Sequence, residues 1–234
     1  MSEHVTTCKL VTQILKPMND AKLIWVTPDA EKIITYCARV SSPKNQDNHE
    51  TAPKLINYCI KNRHWSIFEM ANMCVEINTT RAISAQFIRH RSIAVQEFSA
   101  RYQDVSVLGS AELPHLRRQD QKNRQNSIDD LNSDLTSSFY RRISSLFEET
   151  EHLYQEMVSS GVAKECARGI LPMASPTRIY ANASIRSWIT YIALREKHGT
   201  QMEHMELAKS IKSIFCEQFP NIAAALGNEK EWEI

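Results

Sequence analysis

An α+β fold of one domain is predicted by three observations. Apolar residues at helical spacing cover most of the chain. Short alternating stretches account for only a few strands. The regular strand–helix–strand succession of a parallel α/β fold is missing. A length of 234 residues suits a single domain with a sizeable core, and 42% hydrophobic with 24% charged residues is an ordinary globular composition.

The elements follow in order. KLIWVT (22–27) reads as a strand. PDAEKIITYCARVS opens with Pro28 and Asp29, both helix-start residues, and predicts a helix ending near Ser41. SSPKNQDNHET is a polar loop, and APKLINYCIKNRH carries Leu55, Ile56, Cys59 and Ile60 at helical spacing. NMCVEIN alternates Met73, Val75 and Ile77, which predicts a half-buried strand, and a helix from about Thr80 to Arg91 follows it. Residues 104–136 are polar and irregular and read as a surface excursion within a single domain spanning 1–234. Phe139, Ile143, Leu146, Phe147, Leu153, Tyr154 and Met157 trace one long amphipathic helix, stopped near Gly161. AKECARGILP is a short helix ended by Pro172, SIRSWITYIALREKHG a longer one closed by Gly199, and TQMEHMELAKSIKSIFCEQF a third.

Bulk composition excludes several classes of function. With a formal net charge of +1 the chain is not a general polyanion binder, so anion recognition must be local. The N-terminal MSEHVTTCKLVTQILKP has no long apolar run and no small-residue cleavage site, and no stretch reaches the roughly 18 apolar residues of a membrane span, which predicts a cytoplasmic protein. The six cysteines, Cys8, Cys37, Cys59, Cys74, Cys166 and Cys216, are scattered without a C-x-x-C pair and read as reduced thiols. A metal site is not expected. E-x-x-H occurs at Glu149–His152 and at Glu112–His115, and Pro114 makes the second a poor helix. RRQDQKNR (117–124) lacks interleaved aromatics, so it reads as a solvated loop rather than a nucleic-acid patch. With five glycines and no glycine-rich phosphate loop, any nucleotide phosphate must be held by side chains.

RHRSIAVQEFSARY (89–102) concentrates positive charge among apolar residues. On the predicted helix leading into it, Gln86, Arg89 and His90 stand at i, i+3 and i+4 and share a face. Beyond the helix, Glu97, Ser99 and Arg101 alternate along an extended run and point one way. Either these two faces line one nucleotide pocket or they form a surface salt-bridge cluster. Arg186 and Arg195, nine residues apart, fall on opposite sides of a helix at about 100° per residue. That helix is either solvated or wedged between two anionic ligands or two subunits. Arg168 in ECARGILP, and His64, Ser66 and Glu69 in RHWSIFE, are uninformative alone.

Arg89-His90-Arg91, seven residues and then Ser99, with Arg101-Tyr102 trailing, resembles the R-H-R-x7-S signature of the flavin-dependent thymidylate synthases, the ThyX family. ARVS, HWSIFE, ARGILP, IRSW and LREKHGTQMEH fall in the family's order, so the resemblance covers roughly residues 20–220. It implies a ThyX-like protomer, a mixed or antiparallel sheet flanked by helices, in a homotetramer with active sites at subunit interfaces. It also implies FAD as cofactor, and dUMP, methylenetetrahydrofolate and NADPH as substrates. The products would be dTMP and tetrahydrofolate.

Carried over by position, the dUMP contacts are Gln86, Arg89, Glu97, Ser99, Ala100 through its backbone, Arg101, Arg168 and Arg195. The FAD contacts are Ser41, His64, Ser66, Glu69, Arg89, His90, Arg91, Ser92, Ser184, Arg186 and Thr190. Ser184 and Thr190 stand where the family often has Asn, Ser66 where Thr is also used, and Met70 replaces a His. Ala94 and Gln96 replace a Ser and an Asn without removing charge. Uracil C5 is a weak nucleophile, and no cysteine lies in or beside the motif to activate it. Arg195 is the candidate for stabilising charge on the uracil carbonyls. Ser99 reads as a substrate hydrogen-bonder rather than a nucleophile, since an unactivated serine needs an adjacent base. The rival reading is a nucleotide- or RNA-binding module without chemistry, which would bind no chromophore.

Overall fold

The computed structural model describes residues 19–227 and 231–234. The N-terminal segment read above for leader signals, with Cys8, lies outside the described residues. Four antiparallel strands form the main sheet in the order β1 (Asp20–Val26), β2 (Asn72–Thr80), β6 (Pro176–Ser184) and β3 (Ala94–Glu97). Around them lie α1 (Ala30–Ala38), α2 (Ala52–Lys61), α3 (Arg81–Phe87), α4 (Ser133–Ser159), α5 (Lys164–Ala167), α6 (Ile185–Arg195), α7 (Met202–Gln218) and α8 (Pro220–Leu226). A two-stranded hairpin, β4 (Arg118–Gln119) with β5 (Ser127–Ile128), stands apart.

Strand β6, the partner of both β2 and β3, was not visible in the sequence because its core face is small. Thr177, Ile179, Ala181 and Ala183 are buried, and two alanines make a weak alternating signal. The register explains them. Met73 lies opposite Ala183, Val75 opposite Ala181, and Ile77 opposite Ile179. At two of these three pairs a large side chain on β2 faces an alanine on β6, and Trp188 of α6 belongs to the same core. Trp188 is fully buried, and its indole N–H donates to the Met73 carbonyl at 2.8 Å. The other sheet face is polar. Tyr180 donates to Glu76 at 2.8 Å and Arg178 to Asn78 at 2.8 Å.

Several predicted boundaries move. Helix α1 stops at Ala38, not near Ser41. Arg39 then turns inward, only 6% exposed, and donates to the Asn48 carbonyl and the Thr51 hydroxyl, which ties down the polar loop. Helix α6 ends at Arg195, four residues before Gly199. Helix α4 begins at Ser133 behind the cap of Asn132, whose side chain accepts from the Asp134 and Leu135 amides, so residues 133–136 are its first turn rather than loop. Helix α8 was not expected. Its N-terminus is capped from a distance by Glu31, which accepts from the Asn221 and Ile222 amides at 2.9 Å each.

Candidate active site

The helix predicted to reach Arg91 stops at Phe87. Its start is fixed by the Thr80 hydroxyl, which accepts from the Ile83 amide at 3.4 Å. Its end is dictated by the sheet. The chain must turn to pair Ala94–Glu97 with β6, and a turn closed by Ile93 N–H to the His90 carbonyl, with Ile93 buried, makes that change. Arg89 and His90 therefore leave the shared helical face. Gln86 and His90 still converge, because His204 of α7 meets both, and α6 reaches His90. Arg195 Nε donates to His90 Nε2 at 2.9 Å, and Gln86 Oε1 lies 3.3 Å from His204 Nδ1. The Tyr191 ring packs edge-on against His90 at 4.9 Å.

The electrostatics of this cluster are unusual. Burial, then the Arg195 charge, lowers the His90 pKa to about 4. Burial, Arg195 and then His90 lower that of His204 to about 3. Both imidazoles are neutral at pH 7. Arg195 has no carboxylate partner among the described residues, so a half-buried guanidinium stands beside two neutral rings. Such a charge favours an incoming anion or a developing oxyanion. Sequence reasoning passed over His204. The available signal was its spacing to Leu207, Ala208 and Ile211, which puts a polar ring on the buried stripe of α7.

The extended alternation of Glu97, Ser99 and Arg101 is not observed. Strand β3 ends at Glu97, and the Ser99 carbonyl accepts from the Tyr102 and Gln103 amides, forming a turn. Glu97 faces inward, accepting from Ser84 at 2.7 Å and Thr177 at 2.9 Å through one oxygen. Ala100 is buried in a small second core with Val105, Tyr154 and Ala167. Arg101 points outward to Glu165 of α5 at 3.0 Å. Arg168 sits on the short turn Arg168–Ile170 that follows α5. Among the described residues no hydrogen bond or ion pair joins Arg101 or Arg168 to the Arg195 cluster.

A third group lies at the other end of α6. Arg63, in the left-handed region at φ 56°, turns the chain from α2 towards the short helix Trp65–Glu69. His64 and Ser66 are exposed there, and Glu69 pairs with Arg186 at 3.2 Å. The Thr190 hydroxyl donates to the Arg186 carbonyl, and the Ser184 hydroxyl caps α6 by accepting from the Ser187 amide, so both have local roles already. Ser41, Arg89, Arg91 and Ser92 are exposed. Neither Arg89 nor Arg91 has an ion-pair partner among the described residues. Two unpaired guanidinium forks suit a diphosphate-bearing cofactor.

Comparison with known proteins follows the same lines. The chain is 48% identical over 213 residues to a probable flavin-dependent thymidylate synthase of Paramecium bursaria Chlorella virus 1, covering 88% of this chain and 98% of that one. It is 48% identical over 202 residues to the flavin-dependent thymidylate synthase of Synechocystis sp., covering 86% and 90%. The solved UMP/dUMP methylase PolB from Streptomyces cacaoi, bound with 5-Br dUMP, shares the fold at a TM-score of 0.78 and 22% identity, covering 89% of this chain and 94% of that one. A family sequence model, described as thymidylate synthase complementing protein, matches residues 22–221, and the chain belongs to that family, Thy1.

Proposed function

We propose that this chain is a flavin-dependent thymidylate synthase, a methyltransferase that converts dUMP to dTMP. Methylenetetrahydrofolate gives the carbon, NADPH the reducing equivalents, and tetrahydrofolate leaves. The observation that carries the reading is Arg195: a half-buried guanidinium hydrogen-bonded to a neutral imidazole, near His204, which in turn meets Gln86, and with no carboxylate partner among the described residues. Aimed at a uracil carbonyl, it stabilises the negative charge that accumulates as C5 becomes nucleophilic. Gln86, Arg89, Glu97, Ser99, Ala100, Arg101 and Arg168 complete the dUMP set in this reading.

FAD supplies the hydride chemistry when bound. Arg89 and Arg91 are suited to its diphosphate. Glu69, Arg186, His64, Ser66, Ser41, Ser92, Ser184, Thr190 and His90 would complete the set that holds it. His90 gives its Nε2 to Arg195, which leaves that nitrogen unable to serve as a base for Ser99. This supports Ser99 as a ligand contact rather than a nucleophile.

The site residues fall into groups at separate places on one protomer, as expected if each active site draws on more than one subunit of a homotetramer. Leu135, Phe139, Leu146 and Leu153 on α4 are exposed and lie within about 40° of one another around the helix, an apolar stripe available to a second copy. The five described cysteines are all free, in keeping with the cytoplasm as the site of action. The test is direct. The purified protein is expected to be yellow and to oxidise NADPH in a dUMP-dependent way. A colourless protein that cannot take up FAD would sink the reading.

A further inference from the structure

The polar segment before α4 delivers one buried charge to the edge of the Arg195 cluster. Arg117, whose side chain is 9% exposed, donates through Nη2 to both oxygens of Glu203 at 2.7 and 2.9 Å. Burial pushes the Glu203 carboxyl up. Its own backbone N–H, Arg117 and Gln201 outweigh that and hold it below the ordinary range, so Glu203 is an ionised, acceptor-only group.

That single fact orders a chain of hydrogen bonds. Gln201 must turn its NH2 to Glu203, and does so at 3.0 Å. Its carbonyl oxygen is then the end left for Gln86, whose Nε2 donates to it at 2.6 Å. The Gln86 oxygen is in turn directed at His204 Nδ1, 3.3 Å away, which must carry the proton. His204 is fully buried and its Nε2 has no hydrogen-bond partner, so the chain ends there. Each amide has one donor end and one acceptor end. The polarity imposed at Glu203 therefore passes unbroken to Gln86.

We propose that Glu203, clamped by Arg117 and acting through Gln201, is a positioning residue that fixes the orientation of the Gln86 carboxamide, so that Gln86 meets the nucleotide with an N–H donor. The proposal rests on the reading of Gln86 as a dUMP contact. The second Gln86 N–H is the one free to turn to the ligand, and its partner is an acceptor oxygen on the nucleotide. The segment carrying Arg117 thereby reports to the substrate site through four side chains rather than by touching substrate itself.

The experiment is a double-mutant cycle on dUMP affinity, measured by calorimetry on the FAD-loaded protein. Glu203→Gln can donate as well as accept, so it no longer dictates polarity. It is expected to weaken dUMP binding about ten-fold, the size of one misplaced hydrogen bond. In a Gln86→Ala background the same change is expected to have no further effect. Because Glu203→Gln strands the Arg117 charge, Gln201→Leu serves as the second variant. It breaks the chain at an exposed residue, leaves the ion pair intact, and is expected to give the same loss and the same non-additivity. Losses that add to that of Gln86→Ala, or an unchanged affinity in both variants, overturn the proposal while dUMP binding itself stands. A wild-type chain that does not bind dUMP removes the Gln86 reading and this inference with it.

Discussion

The two ends of α6 carry an arginine each, and the two behave differently. Arg186, in the first turn, is exposed and paired with an exposed Glu69. Arg195, in the last turn, is half buried, bonded to a neutral histidine, and without a carboxylate partner among the described residues. The helix dipole favours a cation at the second place and not at the first. Solvent screening leaves the Arg186 pair worth little, whereas the Arg195 charge acts where water is partly excluded. The lesson is that the fold, not the residue type, decides which arginine can do electrostatic work.

The largest expected effect follows from that contrast. Arg195→Ala should lower kcat by about a hundred- to a thousand-fold, the scale for removing one oxyanion donor. Arg186→Ala should instead weaken FAD binding and leave dUMP affinity alone. Dye-free titration of FAD and steady-state NADPH oxidation separate the two. Equal losses in both variants would erase the distinction between the helix ends. Next comes Arg101→Lys, which keeps the charge but loses the fork, and should raise the dUMP KM by about ten-fold. An unchanged KM would leave Arg101 as the partner of Glu165 alone.

The comparison also predicts a pH dependence. His90 titrates at about 4 in the folded protein, against about 6.5 for an ordinary histidine. Between those values the unfolded chain binds the extra proton, so stability is full above about pH 6.5 and is lost as pH falls towards 4. Tm should fall between pH 6.5 and pH 5, and His90→Asn should make that fall shallower. A slope untouched by the substitution would mean that the cluster is not desolvated. Smaller still, Arg186→Ala should change global stability by less than about 1 kcal/mol, as for an exposed pair. Ser99→Ala should keep measurable turnover, and complete loss with dUMP binding intact would restore the nucleophile reading.

Much of this was legible along the chain. Met73, Val75 and Ile77 announced β2 because large apolar residues alternate there. Strand β6 stays hidden because the alanines opposite Met73 and Val75 carry little hydrophobic signal, and its role as the partner of both β2 and β3 appears only in the register. The sequence groups Gln86 and His90 by helical spacing, and the structure brings them together by another route. The helix ends at Phe87, so they share no helical face, and they meet through His204 of α7. The alternation that aligns Arg101 with Glu97 and Ser99 along the sequence is broken by the turn at Ser99.

The sequence by itself determined the helix-rich α+β class, the family signature and the inventory of arginines, because periodicity and motif spacing are local properties of the chain. Tertiary structure decided which of those arginines is desolvated, which way Gln86 turns, and that His204 stands against Gln86 and His90. Burial and hydrogen-bond polarity are set by neighbours distant in sequence, as Gln86 with Gln201 and His90 with Arg195 are here.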